Sequence, residues 1–181
     1  MKPGQVIRST TILGVRIGKK AVMGGDGQVT FGEIQMKSKA VKVREFGDGK
    51  VLAGFAGAAA DAMALFEKFE SKLDEMNGQL QRAVVELAKD WRTDKILREL
   101  DALLAIMDTR QAFILSGSGD VIEPDGNIVT IGSGAGYALA AAKAFIKAGE
   151  KDPEKIVRDS LKITSEICIY TNDHITIVET E

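Results

Sequence analysis

Thr10, close to the start of the chain, could act as a nucleophile if the peptide bond before it is cut. A free N-terminal threonine carries both groups that such a reaction needs. Its hydroxyl attacks, and its α-amine, with an ordinary pKa of roughly 7.7–8.0, accepts the proton. The amine is a base only while it is uncharged, so a neighbouring cation held by a carboxylate favours the reaction. Lys42 and Asp26 are candidates for that cation and that carboxylate.

Each of these residues also has an ordinary structural explanation. Thr10 is β-branched and suits the first strand of a sheet. Lys42 alternates with Val41 and Val43, which is typical of a solvated strand face. Asp26 lies between glycines, as turn residues often do. Taken one at a time, the residue types favour these structural roles.

Other catalytic constellations have less support in the sequence. The single histidine, His174, would have to serve any Ser-His-Asp or Cys-His mechanism, and an ordinary strand-edge histidine is the better interpretation. The glycine-rich segment 132–136 precedes a predicted helix, but it lacks the spacing and the Gly-Lys-Ser/Thr ending of phosphate loops. We therefore expect no nucleotide on this chain, with a nucleotide-binding α/β domain as the non-peptidase alternative.

Composition argues against several classes of partner. The 181 residues include 24 Lys and Arg against 26 Asp and Glu, a formal charge of -2, so no overall basic field attracts nucleic acid. The single cysteine, Cys168, cannot form an internal disulfide, which is typical of a reduced, cytoplasmic protein. No apolar run is long enough for a signal peptide or a membrane span. We expect one cytoplasmic domain without a nucleic-acid or membrane partner.

The elements that must position these residues begin with strands. Alternating and apolar runs predict strands at residues 11–17, 21–23, 41–46 and 51–56, with a glycine-rich bend at 24–27. The period then becomes helical, which predicts two amphipathic helices around residues 65–76 and 80–91. Asn77-Gly78 separates the two helices.

Strands and then helices follow again in the second half. Strands are predicted at 103–107, 111–115, 121–122 and 128–131, then a helix at about 137–147, a helix with Asp152 as N-cap and Pro153 at its first position, and a strand at 175–178. Hairpins without βαβ crossovers indicate antiparallel sheets. The prediction is an α+β fold, a four-layer αββα sandwich with two antiparallel sheets between helix layers.

Eight short segments of the chain carry a family resemblance. They are STTI (9–12), GGDGQ (24–28), MK through KVR (36–44), AGFAG (53–57), DA (61–62), ELAKDWRTD (86–94), IGSG (131–134) and ICIYTN (167–172). Over nearly all of residues 10–172 the chain resembles the HslV (ClpQ) family. ELAKDWRTD and ICIYTN are its most specific segments, because they are not expected in archaeal or eukaryotic proteasome β-subunits. The resemblance implies an N-terminal nucleophile hydrolase fold and a threonine-type endopeptidase.

The same resemblance implies a role for each site residue. Thr10 would be the nucleophile, with Lys42 close to its hydroxyl and amine, and with Asp26 paired to Lys42. Gly54 would donate its main-chain N–H to the oxyanion of the tetrahedral intermediate. Ser133 stands where the family has a serine beside the nucleophile.

A cation site is also implied by the family. Its members bind a monovalent cation, usually sodium, through main-chain carbonyl groups, which here would belong to Ser165, Cys168 and Thr171. Many relatives have glycine or alanine in place of Ser165, and a carbonyl ligand tolerates that difference.

Maturation and assembly are further expectations from the resemblance. Residues 1–9 would be a propeptide removed by self-cleavage before Thr10, which leaves residues 10–181 as one peptidase domain. The family forms a homododecamer of two stacked six-membered rings. A hexameric AAA+ ATPase, HslU, docks on these rings and unfolds protein substrates with ATP. The alternative within the same chemistry is a proteasome β-type subunit of a seven-membered ring.

Overall fold

The strands and helices follow the changes in hydrophobic period along the chain. The computed structural model describes residues 10–57, 59–95, 97 and 102–181, so the expected propeptide, residues 1–9, lies outside the described residues. The strands are β1 (Thr11–Ile17), β2 (Lys20–Asp26), β3 (Val29–Phe31), β4 (Ile34–Lys37), β5 (Val43–Phe46), β6 (Val51–Gly57), β7 (Ala102–Met107), β8 (Ala112–Ser116), β9 (Val121–Ile122), β10 (Ile128–Gly132) and β11 (Ile175–Glu179). The helices are α1 (Ala59–Glu75), α2 (Leu80–Thr93), α3 (Ala135–Lys147) and α4 (Pro153–Ile167).

Two antiparallel sheets form the centre of the fold. One has the strand order β10-β1-β2-β11 and the other the order β5-β6-β7-β8-β9. Helices α3 and α4 cover the first sheet, and α1 and α2 cover the second. The structure therefore confirms the predicted four-layer αββα sandwich, and its hairpin connections leave no βαβ unit among the described residues.

The interior is divided into three apolar layers. Between the sheets lie Ile12, Met23, Leu52 and Met107, all fully buried. The two outer layers join each sheet to its helices. At Gly14 the sheets leave no room for a side chain, because a Cβ there would come within 2.4 Å of the Met107 sulfur. Close contact between the sheets is what fixes the ends of β1, β2 and β6 relative to one another.

Two helix boundaries arise from the residues that predicted them. Helix α1 ends before Asn77 and Gly78, which both adopt positive φ angles of 52° and 73°, the conformation that ends many helices. Helix α4 begins with Pro153, and the Asp152 carboxylate accepts a hydrogen bond from the Glu154 N–H at 3.0 Å.

The structure differs from the sequence prediction between β2 and β6. The hairpin β3–β4, which turns at Gly32, was not predicted, and its apolar residues Phe31, Ile34 and Met36 are exposed instead of packed in the core. The predicted strand 41–46 begins only at Val43. Lys42 therefore lies in the connection that leads into β5. None of the helices in the described ranges is long and apolar enough to cross a membrane.

Candidate active site

Asp26 ends strand β2 and is completely buried. Its Oδ1 accepts hydrogen bonds from the Thr11 N–H at 2.7 Å and from the Lys42 ammonium at 3.1 Å. Its Oδ2 accepts from the Gln28 N–H at 2.8 Å and from the Asn172 N–H at 3.3 Å. Three main-chain donors and one cation thus compensate the desolvation of this carboxylate.

Lys42 reaches the same carboxylate from the connection before β5. Its Nζ also donates to the main-chain carbonyl of Gln28 at 2.5 Å, and the side chain is 7% exposed. Burial lowers the pKa of Lys42 below its ordinary value of 10.5, and the charge and hydrogen bond of Asp26 offset part of that effect. The Asp26 carboxylate and the Gln28 carbonyl thus fix the position of the Lys42 ammonium.

Thr10 immediately precedes β1 and is almost fully buried. Its carbonyl accepts a hydrogen bond from the Ser133 N–H at 2.9 Å. A Cβ on Gly132 would come within 2.0 Å of the Thr10 carbonyl oxygen, and Gly132 has a φ of 96°. Only glycine allows the β10 chain to approach Thr10 this closely.

Ser133 therefore contacts Thr10 with its main-chain N–H, whereas its side chain is exposed. The next residue, Gly134, donates its N–H to the Thr11 hydroxyl at 3.0 Å. A Cβ on Gly134 would come within 2.2 Å of that hydroxyl oxygen. Close contact with Thr10 and Thr11 thus explains Gly132 and Gly134 of the glycine-rich segment.

A cavity of about 390 Å³ opens beside Thr10 and Lys42. Its apolar wall includes Phe55 and Phe66, and its charged residues are all basic. The lining residues are Thr10, Val29, Lys37, Lys39, Ala40, Val41, Lys42, Val43, Arg44, Phe55, Gly57, Met63 and Phe66. The Arg44 guanidinium lies 5.4 Å from the centre of the Phe66 ring. A larger cavity of about 730 Å³ between α3 and β10 contains none of the predicted site residues.

Gly54, the expected oxyanion donor, is not among the residues that line this cavity. It lies in the middle of β6, paired with Val43 on one side and Ala105 on the other. A Cβ at Gly54 would come within 2.5 Å of Ile12 Cγ2, so packing between the sheets explains this glycine. Gly57, at the end of the same strand, has a φ of 153° and lines the cavity together with Thr10.

The three expected cation ligands lie at the C-terminal end of α4. Cys168 caps the helix, and its carbonyl accepts a hydrogen bond from the Thr171 N–H at 3.0 Å. Ser165 is in the last turn, where carbonyl groups carry partial negative charge and lack partners within the helix. Such oxygen atoms suit a hard cation. No cluster of three or more His, Cys, Asp or Glu that could hold a metal occurs in the part of the chain that the structure describes.

Sequence reasoning assigned no role in the site to Gln28 or Thr11, and it assigned Thr171 only as a cation ligand. The main-chain carbonyl of Gln28 accepts a hydrogen bond from the Lys42 ammonium. The side-chain amide of Gln28 donates a hydrogen bond to the Ile169 carbonyl at 2.9 Å. The Thr171 and Thr11 hydroxyls lie 2.7 Å apart. These residues belong to the segments GGDGQ, STTI and ICIYTN, so the resemblance signalled the segments without indicating the contacts.

Comparisons with known proteins identify the family of the chain. A family model described as a proteasome subunit matches residues 6–180. The ATP-dependent protease subunit HslV of Pseudothermotoga lettingae is 58% identical over 172 residues, which cover 95% of this chain and 98% of that protein. This chain belongs to the HslV family.

Solved structures extend the comparison to the fold. The crystal structure of a eukaryotic HslV, from Trypanosoma brucei, matches with a TM-score of 0.88 and 46% identity, covering 94% of this chain and 99% of that one. Thiobacillus denitrificans BPH in complex with epoxomicin matches with a TM-score of 0.74 and 21% identity, covering 94% and 98% of the two chains. The second match shows the shared fold alone, whereas the first lies within the HslV family.

Proposed function

We propose that this chain is the proteolytic subunit of an ATP-dependent protease and that Thr10, as a free N-terminal residue, is its nucleophile. The observation that carries the proposal is the buried Lys42–Asp26 pair. Lys42 lines the same cavity as Thr10. The 58% identity to a protein named ATP-dependent protease subunit HslV supports the same activity. No histidine is required, since a terminal threonine brings its own base.

The reaction begins with the uncharged α-amine of Thr10. The amine takes the proton of the Thr10 hydroxyl as the oxygen attacks the carbonyl carbon of the substrate peptide bond. The tetrahedral intermediate collapses, the amine returns the proton to the leaving nitrogen, and the first product departs. An ester then joins the substrate acyl group to Thr10. Water attacks this ester, releases the second product as a carboxylic acid and restores the threonine.

Lys42 favours the reactive state of this amine. A positive charge close to an amine disfavours its protonation, so a charged Lys42 lowers the pKa of the Thr10 amine. Asp26 and the Gln28 carbonyl keep the ammonium in place. We assign Lys42 this electrostatic role and Asp26 the role of a positioning residue.

For the oxyanion we favour the main-chain N–H of Gly57 over that of Gly54. Gly57 borders the cavity with Thr10, whereas Gly54 lies between two paired strands. A glycine suits this position because substrate approaches the main chain closely there. The Ser133 N–H remains occupied by the Thr10 carbonyl.

Thr10 would become terminal through self-cleavage. Its hydroxyl would attack the carbonyl of Ser9, an N-to-O shift would give an ester, and hydrolysis would release residues 1–9. Thr10 has a φ of 105°, a strained conformation for a β-branched residue. Cutting the bond before Thr10 removes this restraint, because φ then no longer involves a preceding residue.

We also propose a sodium ion at the end of α4. The main-chain carbonyls of Ser165, Cys168 and Thr171 would hold it, and the negative end of the helix dipole supports a cation there. The ion would stabilise the turn between α4 and β11, from which Thr171 contacts Thr11.

Assembly is proposed as two stacked six-membered rings that enclose the threonines, in the cytoplasm, with an HslU-type ATPase hexamer on the ring ends. The ATPase would deliver unfolded protein substrates. Large apolar side chains that are 64–79% exposed on the single chain support burial in such rings: Ile34, Met36, Val41 and Ile169. The comparisons place the chain with HslV, and nothing in them favours a seven-membered proteasome ring.

Replacing the nucleophile tests this function. We expect Thr10→Ala to retain residues 1–9 in an intact-mass measurement and to hydrolyse neither a short fluorogenic peptide nor an unfolded protein. The unaltered protein should lose those residues and turn over both. A Thr10→Ala protein that is processed normally or retains turnover would contradict the threonine mechanism.

A further inference from the structure

Asn172 is joined to three separate parts of the chain around the Lys42–Asp26 pair. Its main-chain N–H donates to Asp26 Oδ2 at 3.3 Å. Its side-chain carbonyl accepts from the Gly27 N–H at 3.0 Å and from the His174 N–H at 3.2 Å. Its side-chain amide donates to the Ser38 carbonyl at 2.9 Å. Two donors on one side and an acceptor on the other determine the orientation of the amide.

The two segments that Asn172 joins are the ones that carry the charged pair. Asp26 ends β2 and is followed by the connection 27–28, and the segment 38–40 leads to Lys42. They touch directly, because the Ala40 N–H donates to the Gly27 carbonyl at 2.9 Å. At Gly27 a Cβ would come within 2.4 Å of the Ser38 carbonyl oxygen. The Asn172 side chain spans this contact and fixes how far apart the two segments lie.

An asparagine is the side chain that meets both requirements. Alanine offers neither a donor nor an acceptor. Aspartate has nearly the same shape and accepts from the Gly27 N–H, but its second carboxylate oxygen would face the Ser38 carbonyl without a proton between them. Glutamine is one methylene longer and would push the segments apart.

We propose that Asn172 is a positioning residue for peptide hydrolysis, which sets the geometry of Lys42 and Asp26 by joining the segments that carry them. Asn172 lies 146 residues from Asp26 in the chain and has no direct part in the chemistry. The inference rests on the proposed threonine mechanism and adds a residue to it.

The test compares Asn172→Ala and Asn172→Asp with Asp173→Asn, a matched control whose side chain is 76% exposed on the same turn. Rates on a short fluorogenic peptide are measured on assembled rings with the partner ATPase and ATP. We expect Asn172→Ala to lower kcat roughly 10- to 100-fold, since small misplacements of catalytic groups have costs of this size, with KM unchanged. The control should behave like the unaltered protein.

Asn172→Asp adds a readout that a purely structural role does not predict. A carboxylate at this position favours the protonated forms of Lys42 and of the Thr10 amine, so the acidic limb of kcat/KM should move to higher pH. If the alanine variant fails to assemble, the aspartate variant decides. Unchanged kcat and an unchanged pH profile in Asn172→Asp would overturn the proposal.

Including Thr10→Ala in the same assay distinguishes a failure of the threonine mechanism from a failure of the positioning role of Asn172. An active Thr10→Ala protein would refute the threonine mechanism. Inactive Thr10→Ala beside fully active Asn172 variants would refute only the role of Asn172.

Discussion

Lys42 holds its proton less tightly than an exposed lysine does, because burial disfavours the charged ammonium more than Asp26 favours it. The proposed role of Lys42 requires the charged form, which exists below its pKa and is lost as pH rises through that pKa. We therefore expect activity to be sensitive to alkali at a pH where ordinary lysines are still charged.

This gives a prediction for the pH profile. The alkaline limb of kcat/KM should have its midpoint below 10.5, the ordinary pKa of lysine. In Lys42→Arg the guanidinium keeps its charge, so that limb should move to higher pH even if the rate is lower. Lys42→Ala should lose roughly 10²- to 10⁴-fold in rate, the range for general-base assistance, while rings still assemble.

The measurement is peptide hydrolysis against pH on assembled protein. Lys50→Arg, an exchange at an exposed lysine, serves as the control for effects of arginine at alkaline pH. If the midpoint of the alkaline limb of kcat/KM is the same in Lys42→Arg as in the unaltered protein, the proposed electrostatic role of Lys42 is refuted. Lost assembly in Lys42→Ala would indicate that the lysine is structural.

At the scale of elements, the turn after β10 contacts Thr10 directly. Gly132 lies against the Thr10 carbonyl, and Gly136, four residues later in α3, has no atom within 4 Å of a Cβ built on it. The two glycines, one at the end of β10 and one in the first turn of α3, offer a matched pair of substitutions.

We predict opposite effects for this pair. Gly132→Ala places a Cβ against the Thr10 carbonyl at a φ of 96°, so it should destabilise the fold by about 1–3 kcal/mol and displace Thr10, with loss of activity. Gly136→Ala removes a flexible residue from a helix and should stabilise by roughly 0.5–1 kcal/mol with unchanged activity. Chemical denaturation at a fixed protein concentration and peptide hydrolysis provide the two readouts. Equal behaviour of the two variants would contradict the close contact at Gly132.

Periodicity was sufficient to predict most of the strands and helices α1 and α2, because their buried faces repeat at the strand or helix period, whereas α4 was predicted from Asp152 and Pro153 at its start. The hairpin β3–β4 escaped prediction because Ile34 and Met36 are apolar but exposed. An exposed apolar residue has the same sequence pattern as a buried one, so only the fold distinguishes them.

The sequence indicated which segments form the candidate site, but it did not indicate which of their atoms are in contact. Thr10, Asp26 and Lys42 were found through the family resemblance, since each has an ordinary structural alternative. Gly54 and Gly57 both belong to AGFAG, and which of them faces the cavity depends on strand pairing. The contacts of Asn172 connect segments far apart in the chain, which sequence pattern does not report.

For the whole molecule, the proposed peptidase site occurs in a chain whose sequence has no phosphate-loop motif. We expect the proposed chamber of such subunits to admit short peptides but not to unfold a protein by itself. The ATPase would act by binding one conformation of the ring more tightly, and a coupling of about 1–3 kcal/mol raises the active population roughly 5- to 150-fold.

We therefore predict that the partner ATPase stimulates both kinds of turnover. Hydrolysis of a small fluorogenic peptide should rise when the ATPase and ATP are added, and degradation of an unfolded protein should require them. Each substrate is assayed with the rings alone, with the ATPase alone and with both. Peptide rates that ignore the ATPase, or protein degradation by the rings alone with ATP, would contradict the prediction.

The convergence of the Thr11, Gln28 and Asn172 N–H groups on the Asp26 carboxylate has a consequence for hydrogen exchange. Amides outside regular strand pairing usually exchange quickly with solvent, because local opening exposes them. The amides of Gln28 and Asn172 are bonded to a fully buried side chain instead, so their exchange requires the opening of the core around Asp26. Their protection reports on the integrity of the site without any substrate, which makes it visible even in variants that have lost all turnover.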